Sequence, residues 1–361
     1  KWHDGKPFTS ADVKWTLENV WKKIHPRNQI IYGTVTGVDT PDDYTVIIRF
    51  SEPSLAVLSS LNSNGAQVLP KHLYEGTDIL NNPYNNKPVG TGPFVFKEWS
   101  RGNYITLERN PNYWDKSNVG SKGVSKPYLD KIIFKVVPDA GARAAALEKG
   151  EAQYAPFSPV PLKDAERLAK LPGLKLETRG YDWISPWLFL DVNVDRPYFK
   201  DARVRQALAY AIDREALVRQ ILKGTGTVAG GVLSPLNWAY EGNIEHWPYN
   251  PERAKQLLDE AGFPDPDGEG ALPRFRLSFK TTNIDLRRRI AEVIKEQLQR
   301  IGIELDVRSY EWAAFYSDIK KGNFHLYSLA WVGILDPDIL FQIFHSSSFP
   351  PAGDNRGHYS N

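Results

Sequence analysis

The residue types that commonly carry out catalysis occur in this chain, but their spacing assembles no recognisable catalytic site. There is no cysteine, which removes a thiolate nucleophile, thiolate metal ligands and disulfide bonds together. The seven histidines are scattered and no H-E-x-x-H motif occurs, so zinc-ligand spacing is missing. The 43 acidic residues include no local pattern that holds two carboxylates at the separation glycoside hydrolysis needs. We therefore expect no metal, no cofactor and no enzymatic activity.

Two segments imitate ligand-binding loops, and each lacks one required feature. Residues 224–230 (GTGTVAG) are glycine-rich but follow a predicted helix, whereas a dinucleotide-binding loop follows a strand. Residues 265–270 (DPDGEG) begin like a Ca²⁺ loop, but the twelfth position is Arg276 instead of a bidentate glutamate. Both segments are predicted to be ordinary loops.

Composition excludes further classes of function. The chain has 361 residues, of which 41% are hydrophobic, so it can bury a sizeable core and form two or more domains. The chain has 45 Lys and Arg residues and 43 Asp and Glu residues, so it lacks the excess of basic residues typical of nucleic-acid binding. We therefore expect no nucleic-acid partner. The longest apolar runs are far shorter than the roughly 20 residues of a membrane span. The chain starts at Lys1 and stops in a polar segment, so we expect it to be truncated at both ends.

Helical and strand patterns alternate along the chain, which predicts a mixed α/β fold. Residues 80–92 and 193–200 are rich in turn-forming or polar residues and are predicted domain crossings. The clearest periodic segments lie in the second half: helices over 201–222, 251–261 and 285–300, and strands over 274–281, 303–307 and 326–332.

Several sequence blocks, in order, resemble the family 5 extracellular solute-binding proteins of ABC importers. The family contains oligopeptide- and dipeptide-binding proteins. The matching blocks are residues 2–13 (WHDGKPFTSADV), 89–94 (VGTGPF) with 107–114 (LERNPNYW), 128–132 (YLDKI) with 145–151 (AALEKGE), 199–214 (FKDARVRQALAYAIDR) and 250–258 (NPERAKQLL).

The resemblance implies a periplasmic-binding-protein-like clamp of two lobes, of type II, with an extra small α/β domain. Residues 1–88 would form part of the small domain, 89–192 the middle portion of lobe I, and 193–361 lobe II without its C-terminal part. The implied function is capture of an oligopeptide, dipeptide or related small solute between the lobes and delivery to the transmembrane subunits of an ABC permease. The protein would act as a monomer outside the cytoplasm, in the periplasm or lipid-anchored on the outer face of the membrane.

The resemblance also indicates ligand-binding residues. Peptide-binding members line the cleft with two tryptophans, one opening a helix and one ending the following strand, and Trp312 and Trp331 match both contexts. Ala330 and Val332 match the adjacent positions whose backbone meets the ligand, in the manner of an added β-strand.

Four further residues are weaker candidates. Tyr32 in the small domain, and Tyr181 and Trp183 before the lobe crossing, could face the cleft. Oligopeptide-binding members place an aspartate shortly after the second tryptophan to pair with the ligand ammonium group. Here the first acid is Asp336, so either it substitutes from a shifted position or the ligand has no free amine there.

Alternatives stay open on the sequence. The same clamp could bind an oligosaccharide, a modified peptide or a nickel chelate, or it could be the sensor domain of a regulator. A glycan-active enzyme with an aromatic cleft would instead need two converging carboxylates.

Overall fold

The computed structural model describes residues 1–25, 27–62, 65–115, 127–156, 160–177, 186–268 and 270–360. The chain divides into two compact units, Lys1–Leu176 and Glu177–Asn361. Within the described ranges, no helix is long and apolar enough to cross a membrane.

The first unit contains short helices and two antiparallel sheets. A two-stranded sheet has the order β1-β2, and a three-stranded sheet the order β3-β4-β5. The elements are α1 (Ser10–Thr16), α2 (Asn28–Ile31), β1 (Val35–Asp42), β2 (Thr45–Phe50), α3 (Ala56–Ser60), α4 (Lys71–Tyr74), β3 (Phe94–Ser100), β4 (Tyr104–Arg109), β5 (Lys131–Lys135), α5 (Ala140–Glu148) and α6 (Leu162–Leu168).

The first sequence block has a structural role in this unit. The Asp12 carboxylate accepts from the backbone N–H of Thr9 (2.9 Å), closing the N-terminus of α1, and from the N–H of Lys71 (2.9 Å) at the start of α4. The indole N–H of Trp2 also points to it, at 3.4 Å. One buried carboxylate therefore joins the N-terminal turn to two helices.

The second unit is built on a four-stranded sheet in the order β6-β9-β7-β8. Strand β7 runs parallel to both β8 and β9, while β6 runs antiparallel to β9 at the edge. The elements are β6 (Trp187–Val192), α7 (Ala202–Ala211), α8 (Arg214–Ala216), α9 (Pro251–Glu260), β7 (Phe275–Thr282), α10 (Asp285–Gln299), β8 (Ile303–Tyr310), α11 (Trp312–Lys320), β9 (Leu326–Trp331) and α12 (Ile339–Phe344).

The core of the second unit joins α7, α9 and α10 to the sheet. Asp201 caps α7 by accepting from the N–H of Arg203 (2.8 Å), and Asn250 caps α9 by accepting from the N–H of Arg253 (3.0 Å). The buried apolar side chains of these elements include Val204, Leu208, Leu258, Leu277, Phe279, Ile290, Leu298 and Ile303. The fourth and fifth sequence blocks thus specify helix starts and core contacts.

The fold class is confirmed as mixed α/β. Strand β6, which the sequence assigned to lobe I, is hydrogen-bonded along its length to β9 in the second unit. The reason is the register: residues 187–192 pair one for one with residues 331–326. The division between the two units falls at residues 176 and 177.

Candidate functional site

The carboxyl ends of three parallel strands meet at one edge of the second sheet. Strand β7 ends at Thr282, β8 at Tyr310 and β9 at Trp331. In open α/β sheets, ligands bind at this kind of edge because strand ends and helix starts converge there without closing over it. Of the eight residues that the sequence singled out, five lie at these strand ends or in the segments that follow them.

Trp312 and Trp331 occupy the predicted positions in the fold, at the start of α11 and the end of β9. Trp312 is 53% exposed and stacks on Tyr316, with ring centroids 5.2 Å apart and planes 17° apart. Trp331 is only 9% exposed and lies nearly parallel to Phe189 of β6, with centroids 6.4 Å apart. Trp312 therefore presents a large accessible surface, whereas Trp331 is part of a packed aromatic layer.

Arg356 packs against Trp331 and against Tyr316, the ring on which Trp312 stacks, and no sequence pattern predicted this contact. Its guanidinium carbon lies 5.1 Å from the ring centre of Trp331 and 5.3 Å from that of Tyr316, on which Trp312 stacks. The residue is 3% exposed and forms an ion pair with Asp354. Its Nε and Nη1 atoms have no hydrogen-bond partner among the described residues. One buried cation thus packs against two aromatic rings.

Hydrogen bonds to backbone carbonyl groups hold the segment that carries Arg356. The side-chain amide of Asn355 donates to the carbonyl oxygens of Phe344 and His345 (3.1 Å each) at the end of α12. The N–H of Val194 donates to the Gly357 carbonyl (2.9 Å), which ties the segment to the chain after β6. Only long-range contacts bring these residues together, so neither periodicity nor a motif could have identified them.

Asp191 of β6 lies beside this network. Burial raises the pKa of Asp191 from 3.8 to about 6, and the Tyr327 hydroxyl, the Val192 N–H and the charge of Arg356 offset only part of the effect. The Val192 N–H donates to Asp191 Oδ1 over 2.9 Å. Asp191 is therefore a carboxylate whose charge depends on pH in the mildly acidic range.

A cavity of about 430 Å³ lies within the second unit next to these residues. Its walls are mainly apolar and aromatic, with a few polar groups; they include Trp187, Phe189, Trp331, Ile343, Asp191 and Tyr327. An apolar cavity with few polar groups is suited to side chains of a bound solute or to packing by further chain.

Ala330 and Val332 flank Trp331 in different settings. Ala330 is paired with Leu188 of β6 inside the sheet. Val332 lies just beyond the strand and is 42% exposed. Only the second of these two positions is on the open surface of the strand end.

Asp336 and Asp338 form an acidic pair in the loop between β9 and α12. The N–H of Asp338 donates to Asp336 Oδ1 over 3.0 Å. Burial raises the pKa of Asp338, and the charge of Asp336 raises it further. In the described ranges no Lys, Arg or His forms an ion pair with either carboxylate. This pair carries negative charge at the same strand end as Trp331.

The other candidates are not on this edge. Tyr32 is fully buried in the first unit, where its ring packs 5.2 Å from that of Trp21 and its hydroxyl lies 2.9 Å from Ser60 Oγ. This placement is a correction to the predicted cleft position, since a ring enclosed by its own core offers no surface to a ligand. Tyr181 and Trp183 lie outside the described residues.

The described residues contain no group of three or more His, Asp or Glu side chains that could hold a metal ion. The site described so far is an aromatic edge of a mixed sheet, with an acidic pair in the loop that follows β9. The family "Bacterial extracellular solute-binding proteins, family 5 Middle" matches residues 1–350 of this chain. The chain belongs to this family.

Three relatives illustrate the similarity. The oligopeptide-binding protein AppA of Bacillus subtilis (strain 168) is 36% identical over 96% of this chain and 63% of AppA. Its solved structure with a nonapeptide gives a TM-score of 0.85 at 34% identity, over 100% of this chain and 71% of the solved chain. The dipeptide-binding protein of Escherichia coli (strain K12) is 27% identical, covering 98% of this chain and 67% of that protein.

The solved structure of NikZ from Campylobacter jejuni, in complex with Ni(L-His), gives a TM-score of 0.83 at 26% identity, over 100% of this chain and 70% of NikZ. Proteins with this fold therefore bind different kinds of ligand. The chain spans 63% of the length of AppA.

Proposed function

We propose that this protein is the extracytoplasmic solute-binding component of an ABC importer. It captures a peptide-like solute between two lobes and delivers it to the transmembrane permease subunits. It acts as a monomer, needs no cofactor and catalyses no reaction. Its location is the periplasm, or the outer face of the membrane with a lipid anchor.

The observation that carries the proposal is the pair Trp312 and Trp331 at the carboxyl edge of the second sheet. Trp312 is 53% exposed, and its ring packs against the rings of Tyr316 and Phe315. Aromatic faces bind apolar and aromatic side chains of many shapes without directional hydrogen bonds. That property suits a binder that accepts many peptide sequences.

Two polar features at the same edge support a peptide. The chain past Trp331 is exposed at Val332, so an extended ligand can reach this strand end. Asp336, with Asp338, offers an ammonium group a negative charge that no described cation neutralises. A ligand ammonium would also relieve the repulsion between the two carboxylates.

The relatives favour the same ligand class. The names of AppA and of the Escherichia coli relative describe binding of oligopeptides and of dipeptides. A nickel chelate, as bound by NikZ, and an oligosaccharide are less well supported. In the described part of the chain, no cluster of three or more His, Asp or Glu side chains could hold a metal ion.

Native mass spectrometry of the purified protein, followed by denaturation and identification of released molecules, tests the ligand class. A mixture of short peptides is the expected result. A single sugar, metal chelate or other non-peptide species would overturn the peptide assignment.

Calorimetric titration with a released peptide then tests the site. Trp312→Ala is expected to weaken binding by about 30-fold, the effect of removing an aromatic anchor worth about 2 kcal/mol. Trp99→Ala is the matched control, because Trp99 is 42% exposed on β3 of the first unit. Equal affinities for the two variants would exclude Trp312 from the site.

A further inference from the structure

One face of the β6–β9 strand pair runs from the aromatic site to a buried carboxylate. In the antiparallel register, Trp187 pairs with Trp331 and Asp191 pairs with Tyr327. Side chains alternate between the two faces of a strand, so these four side chains share one face, with Phe189 between them. The ring of Phe189 lies 5.7 Å from that of Tyr327 and 6.4 Å from that of Trp331. Packed side chains therefore connect the carboxylate to the tryptophan.

Arg356 lies against the same face. Its guanidinium carbon is 5.1 Å from the ring centre of Trp331 and 5.3 Å from that of Tyr316. Its Nη2 atom donates to the Tyr316 hydroxyl over 3.4 Å and pairs with Asp354. Its buried Nε and Nη1 atoms make no hydrogen bond to any residue that the structure describes, and its charge acts on Asp191. The guanidinium therefore has donors left for a second anion.

Two other cations near Asp191 already have partners. Lys280, which follows Tyr327 across the sheet on β7, holds its ammonium group 2.6 Å from Asp318. Arg205 lines the same cavity as Asp191 and donates to two backbone carbonyls, over 2.6 Å and 3.2 Å. The cavity is also lined by three titratable groups that carry no positive charge: Tyr327, Asp354 and Tyr359. Arg356 is thus the cation with donors to spare.

Two histidines lie where β6 ends and β9 begins. His358 lies 2.5 Å from Asp195, and His325 is 2.9 Å from the hydroxyl of Ser278. Burial lowers the pKa of His325. Because histidine ordinarily titrates near pH 6.5, an experiment on pH must separate these two groups from Asp191.

Ionisation of a buried carboxylate is unfavourable unless a cation and hydrogen bonds compensate it. Burial raises the pKa of Asp191 from 3.8 to about 6, so its side chain is protonated at pH 5 and ionised at pH 7. Once ionised, Asp191 competes with the two aromatic rings for the guanidinium of Arg356.

We propose that Arg356 is a positioning residue for solute binding and that a proton on Asp191 keeps it in position. With Asp191 protonated, the guanidinium stays against Trp331 and Tyr316 and holds the stack that presents Trp312. With Asp191 ionised, the guanidinium moves towards the carboxylate, and the rings lose this support. The inference rests on the proposed function and deepens it, because it assigns a regulation to the same site: solute is held more tightly below about pH 6 than above it.

Calorimetric titration with the tetrapeptide Ala-Phe-Ala-Ala, at half-unit steps from pH 5 to pH 7, tests this dependence. The termini of the probe ordinarily titrate outside this window. The Kd of the wild-type protein is expected to rise about fivefold across it, the effect of losing one contact between a cation and an aromatic ring. Asp191→Asn cannot ionise and is expected to keep the tighter binding at every pH. Asp306→Asn, which removes an exposed carboxylate from β8 of the same sheet, is the matched control and is expected to keep the wild-type profile.

Variants at Arg356 separate positioning from a purely structural role. Arg356→Lys keeps the charge, but an ammonium group cannot cover two rings as a planar guanidinium does. It is expected to bind more weakly at pH 5 and with little dependence on pH. Adding Asp191→Asn to Arg356→Lys is expected to change the affinity no further, since both act through one group. Thermal unfolding of each variant at pH 5 and pH 7 checks that the fold is retained.

A wild-type Kd that is constant from pH 5 to pH 7, or that falls as the pH rises, overturns this inference and leaves the proposed function standing. An unchanged pH dependence in Asp191→Asn also overturns it and assigns the dependence to other groups, such as the two histidines. If the wild-type protein binds neither this tetrapeptide nor a peptide released from the purified protein, the peptide-binding function fails, and the inference fails with it.

Discussion

Replacing Asp191 by asparagine should change how the stability of the second unit depends on pH. In the folded protein, burial raises the pKa of Asp191 from 3.8 to about 6, mainly because the carboxylate is surrounded by protein. The folded state therefore keeps this proton up to a higher pH than the unfolded state. Between about pH 4 and pH 6, raising the pH deprotonates the unfolded chain first and so lowers the free energy of unfolding.

The size of the effect follows from the two pKa values. A difference of about 2 in pKa corresponds to about 3 kcal/mol, at about 1.4 kcal/mol for each tenfold change in proton affinity. As the pH rises through this window, ionisation of Asp191 should lower the free energy of unfolding of the wild-type protein by about 3 kcal/mol, and the loss should be complete above pH 6. Asparagine cannot ionise, so the free energy of unfolding of the variant should rise by about 3 kcal/mol relative to that of the wild type over the same range.

Urea unfolding at half-unit steps between pH 4 and pH 7 measures the difference between the two proteins. Hydrogen exchange in peptides from β6 and β9 assigns the transition to the second unit. Taking the difference removes contributions from other groups that titrate in the same window, such as Asp338. Asp306→Asn, which removes an exposed carboxylate from β8 of the same sheet, is the matched control.

A constant difference between Asp191→Asn and the wild type from pH 4 to pH 7 would refute the reasoning. It would mean that the carboxylate is ionised in the folded protein throughout, with Arg356 and Tyr327 compensating its burial fully. A difference of opposite slope would mean that the folded state lowers the pKa of Asp191 instead of raising it.

Three other changes test the core and the arginine network. Phe279→Ala removes a fully buried ring from β7 and should cost about 3–5 kcal/mol of unfolding free energy, measured by urea unfolding. Gly357→Ala should lower the midpoint of unfolding, since an added Cβ would lie 2.6 Å from the Val192 carbonyl oxygen; an unchanged midpoint would show that this segment can move away. Arg356→Met leaves Asp354 without its buried partner and should cost about 3–5 kcal/mol, whereas Arg356→Lys keeps the charge and should cost less; equal losses for both would point to ring stacking as the dominant contribution.

Local patterns were sufficient for much of the second unit. Asp201, Asn250 and Pro251 are cap and first-turn residues next to apolar residues at helical spacing, so the sequence places α7 and α9 correctly. The alternation of strands and helices from β7 to β9 is likewise readable, because each element is set by residues within about 15 positions of one another. The start of α11 at Trp312 and the end of β9 at Trp331 follow from the same signals.

Tertiary contacts decided other features of the candidate site. The sequence offered Tyr32 as a cleft residue, but Trp21 and Ser60 enclose it, and burial of this kind depends on residues that are distant in the chain. The assignment of β6 to the second unit depends on pairing with β9, which lies more than a hundred residues later. A single strand carries no signal of which partner it will choose, since every extended segment exposes the same donors and acceptors.

The sequence by itself determined the family, the α/β class and the positions of Trp312 and Trp331, because these depend on local periodicity, capping and ordered motifs. Only the tertiary structure decided that Arg356 packs against the rings of Trp331 and Tyr316, and that Asp191 is buried within reach of its charge. Both outcomes depend on which charges meet after folding. The energy of a buried or half-buried charge is set by its surroundings in space and not by its neighbours in the chain.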